Sequence, residues 1–351
     1  MHNRNLVVTA DATSACDRGC SHCAFRSNIG EPMHLKIEAA DKLVSQINNL
    51  EYGEQRIDLC FTGGGEPLLN PHLSDIVQLC LDKLGKKTNW IQIVTSGFTS
   101  ESEDEKKTIE KILEMDNAEA IHFCISFHAF SAKAVRRLVD TLSLLIEKGR
   151  TALVSINLCS SRENFHKTYR TLYTCLAEAE ERTDSTIYHL LVETWDRKFG
   201  WQGYTQKTWS AKTFHRISAN SFGIPCHLII DREDQNEMRL VISPFSMIKH
   251  GRARDIVGSP WHGRGCPFIF SSRYRYSNAI HLSADGSLFP TCDCMCAPPL
   301  KLGDIATDDL NRILQKRRSL SVTLLRKILL DTTPFTSHTI CETCQKIMWG
   351  E

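Results

Sequence analysis

The run Asn5-Leu-Val-Val-Thr-Ala10 and the loop after it, Cys16-Asp-Arg-Gly-Cys20-Ser-His-Cys23, decide how this chain is read. The first is an apolar, strand-like stretch. The second sets three cysteines in a CxxxCxxC spacing within eight residues. Three thiolates so close in sequence can converge on one side of a short loop, and thiolate is the soft donor that suits iron–sulfur clusters or zinc. A cubane cluster normally takes four protein thiolates, yet no further cysteine follows until Cys60. Three ligands leave one iron open to a substrate or cofactor. A structural zinc site is the alternative. It wants four ligands, usually in CxxC pairs, and only His22 or His34 stands near enough in sequence to complete it. Asp17, Arg18 and Ser21 make the loop too polar for three unligated core cysteines.

Farther along, Arg56-Ile-Asp-Leu-Cys-Phe61 predicts a buried strand, then come Thr62-Gly-Gly-Gly-Glu-Pro67 and a helical pattern from Pro71. A glycine-rich strand-to-helix turn is common to many βα loops. Here the glycines let backbone approach a ligand closely, and Glu66 adds an acceptor. In this order and spacing, the triplet and the turn resemble the radical S-adenosylmethionine (SAM) superfamily. The resemblance implies a [4Fe–4S] cluster on Cys16, Cys20 and Cys23 whose open iron chelates the amino and carboxylate groups of SAM. One electron from the cluster then cleaves SAM to a 5′-deoxyadenosyl radical. It also implies that Gly64, Gly65, Glu66 and Pro67 touch the SAM amino group, and that a reductase or a flavodoxin or ferredoxin supplies the electron. The protein's part is to bind, orient and shield chemistry that belongs to the cofactor.

Strand signals at 5–10, 56–61, 90–95, 120–126 and 152–158 alternate with helical patterns near 35–50, 71–85, 103–115, 131–148 and 162–182. Such alternation, with near-continuous apolar strands, predicts an α/β fold with a parallel sheet and crossover helices. The resemblance implies a partial (β/α)6 TIM-like barrel. Five units are countable, and Met238–Ser243 is a plausible sixth strand running on to Lys249-His-Gly-Arg-Ala253. The barrel is expected over 1–255, with 186–237 an insertion. That insertion holds Trp195, Phe199, Trp201, Tyr204 and Trp209, which suit a lid, a substrate pocket or a small satellite core. Sites on parallel α/β barrels lie at the carboxyl ends of the strands, which nominates Thr95, Ser96, Gly97, Ser126, His128 and Asn157. In the superfamily those ends contact SAM's ribose, carboxylate or adenine, so Ser96, Ser126, His128 and Asn157 are the cofactor-binding candidates. The alternative is polar strand ends facing water. Glu101–Lys107 and Gln315–Arg318 read as solvated helix faces.

Of 351 residues, 42% are hydrophobic and 24% charged, an ordinary globular balance. A net charge of +1 gives no nucleic-acid footprint and no polybasic membrane patch. No signal-peptide core opens the chain, and no run approaches the roughly 18 apolar residues of a membrane span. Fifteen cysteines without a secretory signal predict reduced thiols and metal ligation in the cytoplasm. Cys60, Cys80, Cys124, Cys159, Cys175 and Cys226 read as core or helix-face residues.

From Cys266 the composition changes. His281-Leu-Ser-Ala-Asp-Gly286 leads to Cys292, Cys294 and Cys296, then to Leu302-Gly-Asp-Ile305 and the closing Cys341-Glu-Thr-Cys344. Asp285-Gly286 between β-type residues is a hairpin signal, so cysteines flanking it can meet. The order resembles the SPASM/twitch extensions of radical SAM enzymes, nearest in layout to those that epimerise residues in ribosomally made peptides. The usual pattern has a cysteine where Thr291 stands, one residue before Cys292, and a full SPASM set needs one cysteine more than the six from Cys266 onward. The resemblance therefore implies one auxiliary [4Fe–4S] cluster, in a domain over 256–351, on Cys266, Cys292, Cys341 and Cys344, with Cys294 a close substitute. A zinc ribbon is the alternative. Two of Cys292, Cys294 and Cys296 are then spare, and one can serve as hydrogen-atom donor, as the epimerases' thiol does.

The reading is a cytoplasmic radical SAM enzyme, of oxidoreductase or isomerase type, that abstracts hydrogen from a peptide in epimerisation or crosslinking. Oxidation or rearrangement of a small metabolite is the alternative. A non-catalytic metal-bound scaffold would have no use for Gly64, Gly65 and Glu66 beside the triplet.

Overall fold

The computed structural model describes residues 6–20, 23, 31–50, 56–129, 131–149, 153–160, 164–196, 200–214, 226–231, 237–246, 279–290 and 300–331. In chain order the elements are β1 (Leu6–Ala10), α1 (Ile37–Asn48), β2 (Ile57–Phe61), α2 (Leu73–Leu84), β3 (Thr88–Thr95), α3 (Glu103–Leu113), β4 (Ile121–Phe127), α4 (Ala132–Lys148), β5 (Leu153–Ser160) and α5 (Phe165–Thr183). They continue as β6 (Thr186–Asp196), β7 (Gly200–Thr208), β8 (Cys226–Asp231), β9 (Glu237–Ser246), β10 (Ala279–Leu282), β11 (Ser287–Phe289), β12 (Gly303–Asp304) and α6 (Leu310–Asp331). Every strand and helix expected in the first half is present, within about three residues of its expected limits. The chain divides into two compact units, Met1–Gln92 with Ile248–Glu351, and Ile93–Met247.

In the first unit β1 lies between two parallel neighbours, β2 and β10. Leu6, Val8 and Ala10 of β1 are buried, as are Ile57, Leu59 and Phe61 of β2. Against them α1 buries Leu43, Val44 and Ile47, and α2 buries Leu73, Ile76 and Val77, the apolar stripe of a helix with one face to the core. The Asp285-Gly286 hairpin forms as expected between β10 and β11, with Gly286 at φ +89°, a conformation glycine adopts without strain. The Leu302–Ile305 turn supplies β12, which pairs antiparallel with β11. One expectation fails in α6. Arg317, read as part of a solvated face, is only 1% exposed and donates from Nε to the Pro290 carbonyl at 3.2 Å. On α3, Glu105 is buried as well. Charge alone gives no sign of which turn of a helix points inward.

In the second unit β4 pairs parallel with β5, and β5 with β9, so Met238–Ser243 does lie in the sixth parallel strand. Phe123, Ile125, Val154, Ile156, Leu240 and Ile242 line one face of these strands and are fully buried. The stretch read as an insertion contains β6, β7 and β8, joined by antiparallel pairing, with β8 alongside β9. Its irregular pattern has a physical source, since the ladder shifts register at Thr194/Trp195 and again at Ile187/His189 and interrupts the alternation. Trp209 packs on Tyr173 and Phe214 at 5.2 and 5.3 Å, forming a small aromatic cluster against α5. Among the described residues no helix is long and apolar enough to cross a membrane.

Candidate active site

The loop after β1 is pinned from two sides. Ser14 N donates to Met33 O and Leu35 N to Ala12 O, at 2.8 and 2.9 Å, so the 33–35 segment straps it. On the other side Thr62 N donates to Ala10 O and Glu66 N to Ala15 O, at 2.9 and 2.8 Å. The glycine turn can lie this close because its glycines have no Cβ. Gly64 sits at φ +52°, and a Cβ there would stand 2.7 Å from Asp11 Cγ. One on Gly65 would stand 2.7 Å from Thr13 O and closer still to Ala15 O. The close approach these two glycines permit is made to the backbone that carries the cysteines.

This packing buries Glu66. Its Oε1 accepts from Leu68 N at 3.4 Å and its Oε2 stands 3.5 Å from Arg18 Nε. Arg18, from the CxxxC segment, also pairs with Asp17 at 2.9 Å. Cys16, Cys20 and Cys23 are half-buried thiols on this one loop, and Cys23 N donates to Cys20 O at 3.3 Å. Burial pushes the Cys16 thiol up to about 11, and the nearby Glu66 and Cys20 charges add to it against a backbone hydrogen bond and the charge of Arg18. A bound metal centre is what would draw off that proton. Among the described residues no three His, Cys, Asp or Glu side chains close around a single ion position. Ser21, His22 and residues 24–30 lie outside the described residues. The donor set, three soft and partly accessible thiols on one pinned loop, fits a three-thiolate cluster.

The strand-end candidates belong to the second unit. Ser96 precedes Gly97, whose φ of +80° turns the chain after β3, and Gly97 N donates to Thr95 Oγ1 at 2.9 Å. Thr141 of α4 accepts from Phe98 N at 3.0 Å, and Asp140 from Ser100 N at 2.8 Å, so α4 holds this turn. Ser126 and Asn157 are register partners in the parallel β4–β5 ladder and are both half-buried, while His128 follows β4. Below them on the same face, burial pushes the Cys124 thiol up to about 11, opposed by hydrogen bonds with Ser155 and Asn157. His122 Nε2 and Ser155 Oγ are 2.9 Å apart, and burial lowers the imidazole to about 4.

Cys266, Cys292, Cys294, Cys296, Cys341 and Cys344 lie outside the described residues, as does Lys249–Ala253. The sequence reading missed two features. One is Arg18 as the partner of Glu66, which no local pattern announces. The other is a buried pair beneath Gly64, where Asp11 Oδ2 stands 3.3 Å from Nε2 of His281, a residue with no exposed surface. Thr9 Oγ1 holds the other ring nitrogen at 2.9 Å. His281 directly before a hairpin signal was the available hint.

No curated protein matches this chain in sequence. Solved structures resemble it, three of them as follows. Polyhistidine-tagged anSMEcpe with bound AdoMet shares 12% identity over 97% of this chain and 95% of that one, with a TM-score of 0.52. Native anSMEcpe with bound AdoMet and the Cp18Cys peptide shares 13% over 97% and 95%, at 0.51. BtrN in complex with AdoMet and 2-DOIA shares 13% over 92% and 88%, at 0.47. At such identities the anSMEcpe likenesses speak to the fold alone, an α/β parallel sheet of the open, partial-barrel kind. The sequence model described as Radical SAM superfamily matches residues 12–157, from just before the cysteine triplet to Asn157. Residues 12–157 therefore carry a radical SAM superfamily domain.

Proposed function

We propose that the protein is a radical SAM enzyme that abstracts hydrogen from a peptide substrate and carries it to epimerisation or crosslinking. The observation that carries this reading is the Gly64-Gly65-Glu66 turn packed directly onto the loop that presents Cys16, Cys20 and Cys23. When bound, a [4Fe–4S] cluster with SAM supplies a 5′-deoxyadenosyl radical able to take hydrogen from an unactivated C–H bond. Cys16, Cys20 and Cys23 hold the cluster in this reading, and Glu66 accepts a hydrogen bond from the SAM ammonium. Ser96, Ser126, His128 and Asn157 orient the rest of SAM. An auxiliary [4Fe–4S] cluster on Cys266, Cys292, Cys341 and Cys344 occupies the 256–351 domain, beyond a barrel over 1–255. The six cysteines from Cys266 onward favour a peptide, because auxiliary clusters often accompany peptide substrates. An external reductase, flavodoxin or ferredoxin provides the electron, and the cytoplasm is the compartment suited to so many thiols.

The test is anaerobic reconstitution with iron and sulfide, followed by dithionite and SAM. The protein should release 5′-deoxyadenosine even without substrate. Undiminished release from a Cys16/Cys20/Cys23→Ala variant would overturn the assignment.

A further inference from the structure

The second unit holds another polar cluster, away from the strand ends described above. Arg239 on β9 donates from Nε to His227 Nδ1 on β8 at 2.9 Å, and from an Nη to the Tyr204 hydroxyl on β7 at 3.0 Å. The guanidinium carbon lies 5.4 Å from the Tyr204 ring centroid, and that ring stands edge-on to His227 at 4.9 Å. A guanidinium offers only donors, so His227 Nδ1 accepts and the neutral ring carries its proton on Nε2. An imidazole nitrogen from the neighbouring β8 and the hydroxyl and ring of one tyrosine from β7 thus fix one cation in one orientation. Neither of these two partners is an acid, so they leave the guanidinium's charge unneutralised.

The cluster is within reach of a ligand. Tyr204 is 42% exposed and Arg239 is half-buried. Its place on the sheet is informative. Arg239 pairs with Leu153 and Ser243 with Asn157 in the parallel β5–β9 ladder, so by the two-residue pleat Arg239 shares a face with Ser243, Asn157 and Ser126. The opposite face is apolar and buried, and on this face His122, Cys124, Ser155 and His227 are buried too. Four residues of strand separate Arg239 from Ser243, about 13 Å at roughly 3.3 Å per residue.

We propose that Arg239, oriented by His227 and Tyr204, binds an oxyanion, a carboxylate or a phosphate. A guanidinium held in place in advance has little orientational freedom left to lose, and a charged acceptor makes the stronger hydrogen bonds. The buried Cys124 and Ser155 separate it from the level of Ser126 and Asn157, so the site stands apart from the strand ends. This oxyanion site does not depend on the proposed function.

The test needs neither SAM nor reductant, so a failure of the radical reading leaves it intact. The full chain, labelled with 15N-arginine, is titrated with acetate and separately with inorganic phosphate at constant ionic strength against chloride. The Arg239 Nε–H resonance is identified by its loss in Arg239→Lys and, independently, by its displacement in Tyr204→Phe. It should shift saturably with at least one of the two anions, and the exposed Arg136 should not follow. Acetate alone points to a carboxylate, phosphate alone to a phosphoryl group, and both to a general oxyanion site. Tyr204→Phe, which keeps the ring and removes the hydroxyl, should weaken binding roughly threefold to tenfold. A resonance that moves no more than with chloride, or only in step with Arg136, overturns the site and leaves Arg239 a strap between strands.

Discussion

Arg18 and Glu66 form an ion pair inside the protein, with Nε 3.5 Å from Oε2 and each side chain only 3% exposed. The carboxylate proposed to meet SAM's ammonium therefore has a structural duty already. Its removal has two consequences that must be measured separately. Glu66→Ala strands Arg18, and should lower the free energy of unfolding by about 2–3 kcal/mol in urea titration, the Arg18–Asp17 contact softening the loss. Glu66→Gln keeps an acceptor for Leu68 N and should lose less. In cluster-loaded protein either variant should bind SAM roughly tenfold to a hundredfold more weakly, the worth of one charge-assisted hydrogen bond. Unchanged SAM affinity would make the turn only a connection.

Gly65→Ala tests the packing of the turn. The added methyl would meet two backbone carbonyls, Thr13 O and Ala15 O, and neither can rotate aside as a side chain can. Overpacking of this kind costs about 1–3 kcal/mol, and here it also opposes the Glu66 N to Ala15 O hydrogen bond. The expected result is a lower melting temperature together with a lower yield of iron at the Cys16–Cys23 loop. Normal iron retention would show that the turn and the loop are independent.

Iron counting distinguishes the two cysteine sets. The Cys16/Cys20/Cys23→Ala variant should still carry about four irons and four sulfides if the cysteines from Cys266 to Cys344 hold a cubane. One zinc and no residual iron would establish a ribbon and remove any electron-transfer role for that region.

His122 predicts a pH dependence of stability. Burial holds it near 4 in the folded state against 6.5 for an ordinary histidine. Below pH 6.5 the unfolded chain takes up a proton that folded His122 refuses until about pH 4. Its contribution is whole above pH 6.5 and is lost as pH falls toward 4, on the order of 3 kcal/mol in all. Denaturant titrations of wild type and His122→Gln should converge across that window. A constant difference would mean the imidazole titrates normally.

The spare thiols carry the last test. If the product is an epimer, a planar carbon radical must receive hydrogen on the opposite face, and a thiol is a competent donor. In deuterium oxide each product should gain one solvent deuterium, because thiols exchange rapidly. Replacing with Ala whichever of Cys292, Cys294 and Cys296 is not a ligand should preserve SAM cleavage and abolish net inversion. Absence of solvent deuterium would favour a crosslinking or oxidising outcome.

How much could be read before folding depends on the range of each interaction. Five β/α units, the Asp285-Gly286 hairpin and the sixth parallel strand were legible because periodicity and turn chemistry are written over a few neighbouring residues. The Cys16–Cys23 spacing and the Thr62–Pro67 turn were legible for the same reason. Strands β6 to β8 were not, since register shifts break the two-residue period on which strand recognition rests.

Unaided, the sequence determined the element order as far as α5, the α/β class and the cysteine-bearing loop after the first strand. Only the tertiary structure decided that Arg18 would meet Glu66, that Asp11 would lie against His281, and that Arg239 would be held by His227 and Tyr204. Each of these contacts joins residues from separate elements. Their partners follow from which strands pair and in which register, and strand pairing is settled by burial of the whole sheet rather than by any local run of residues.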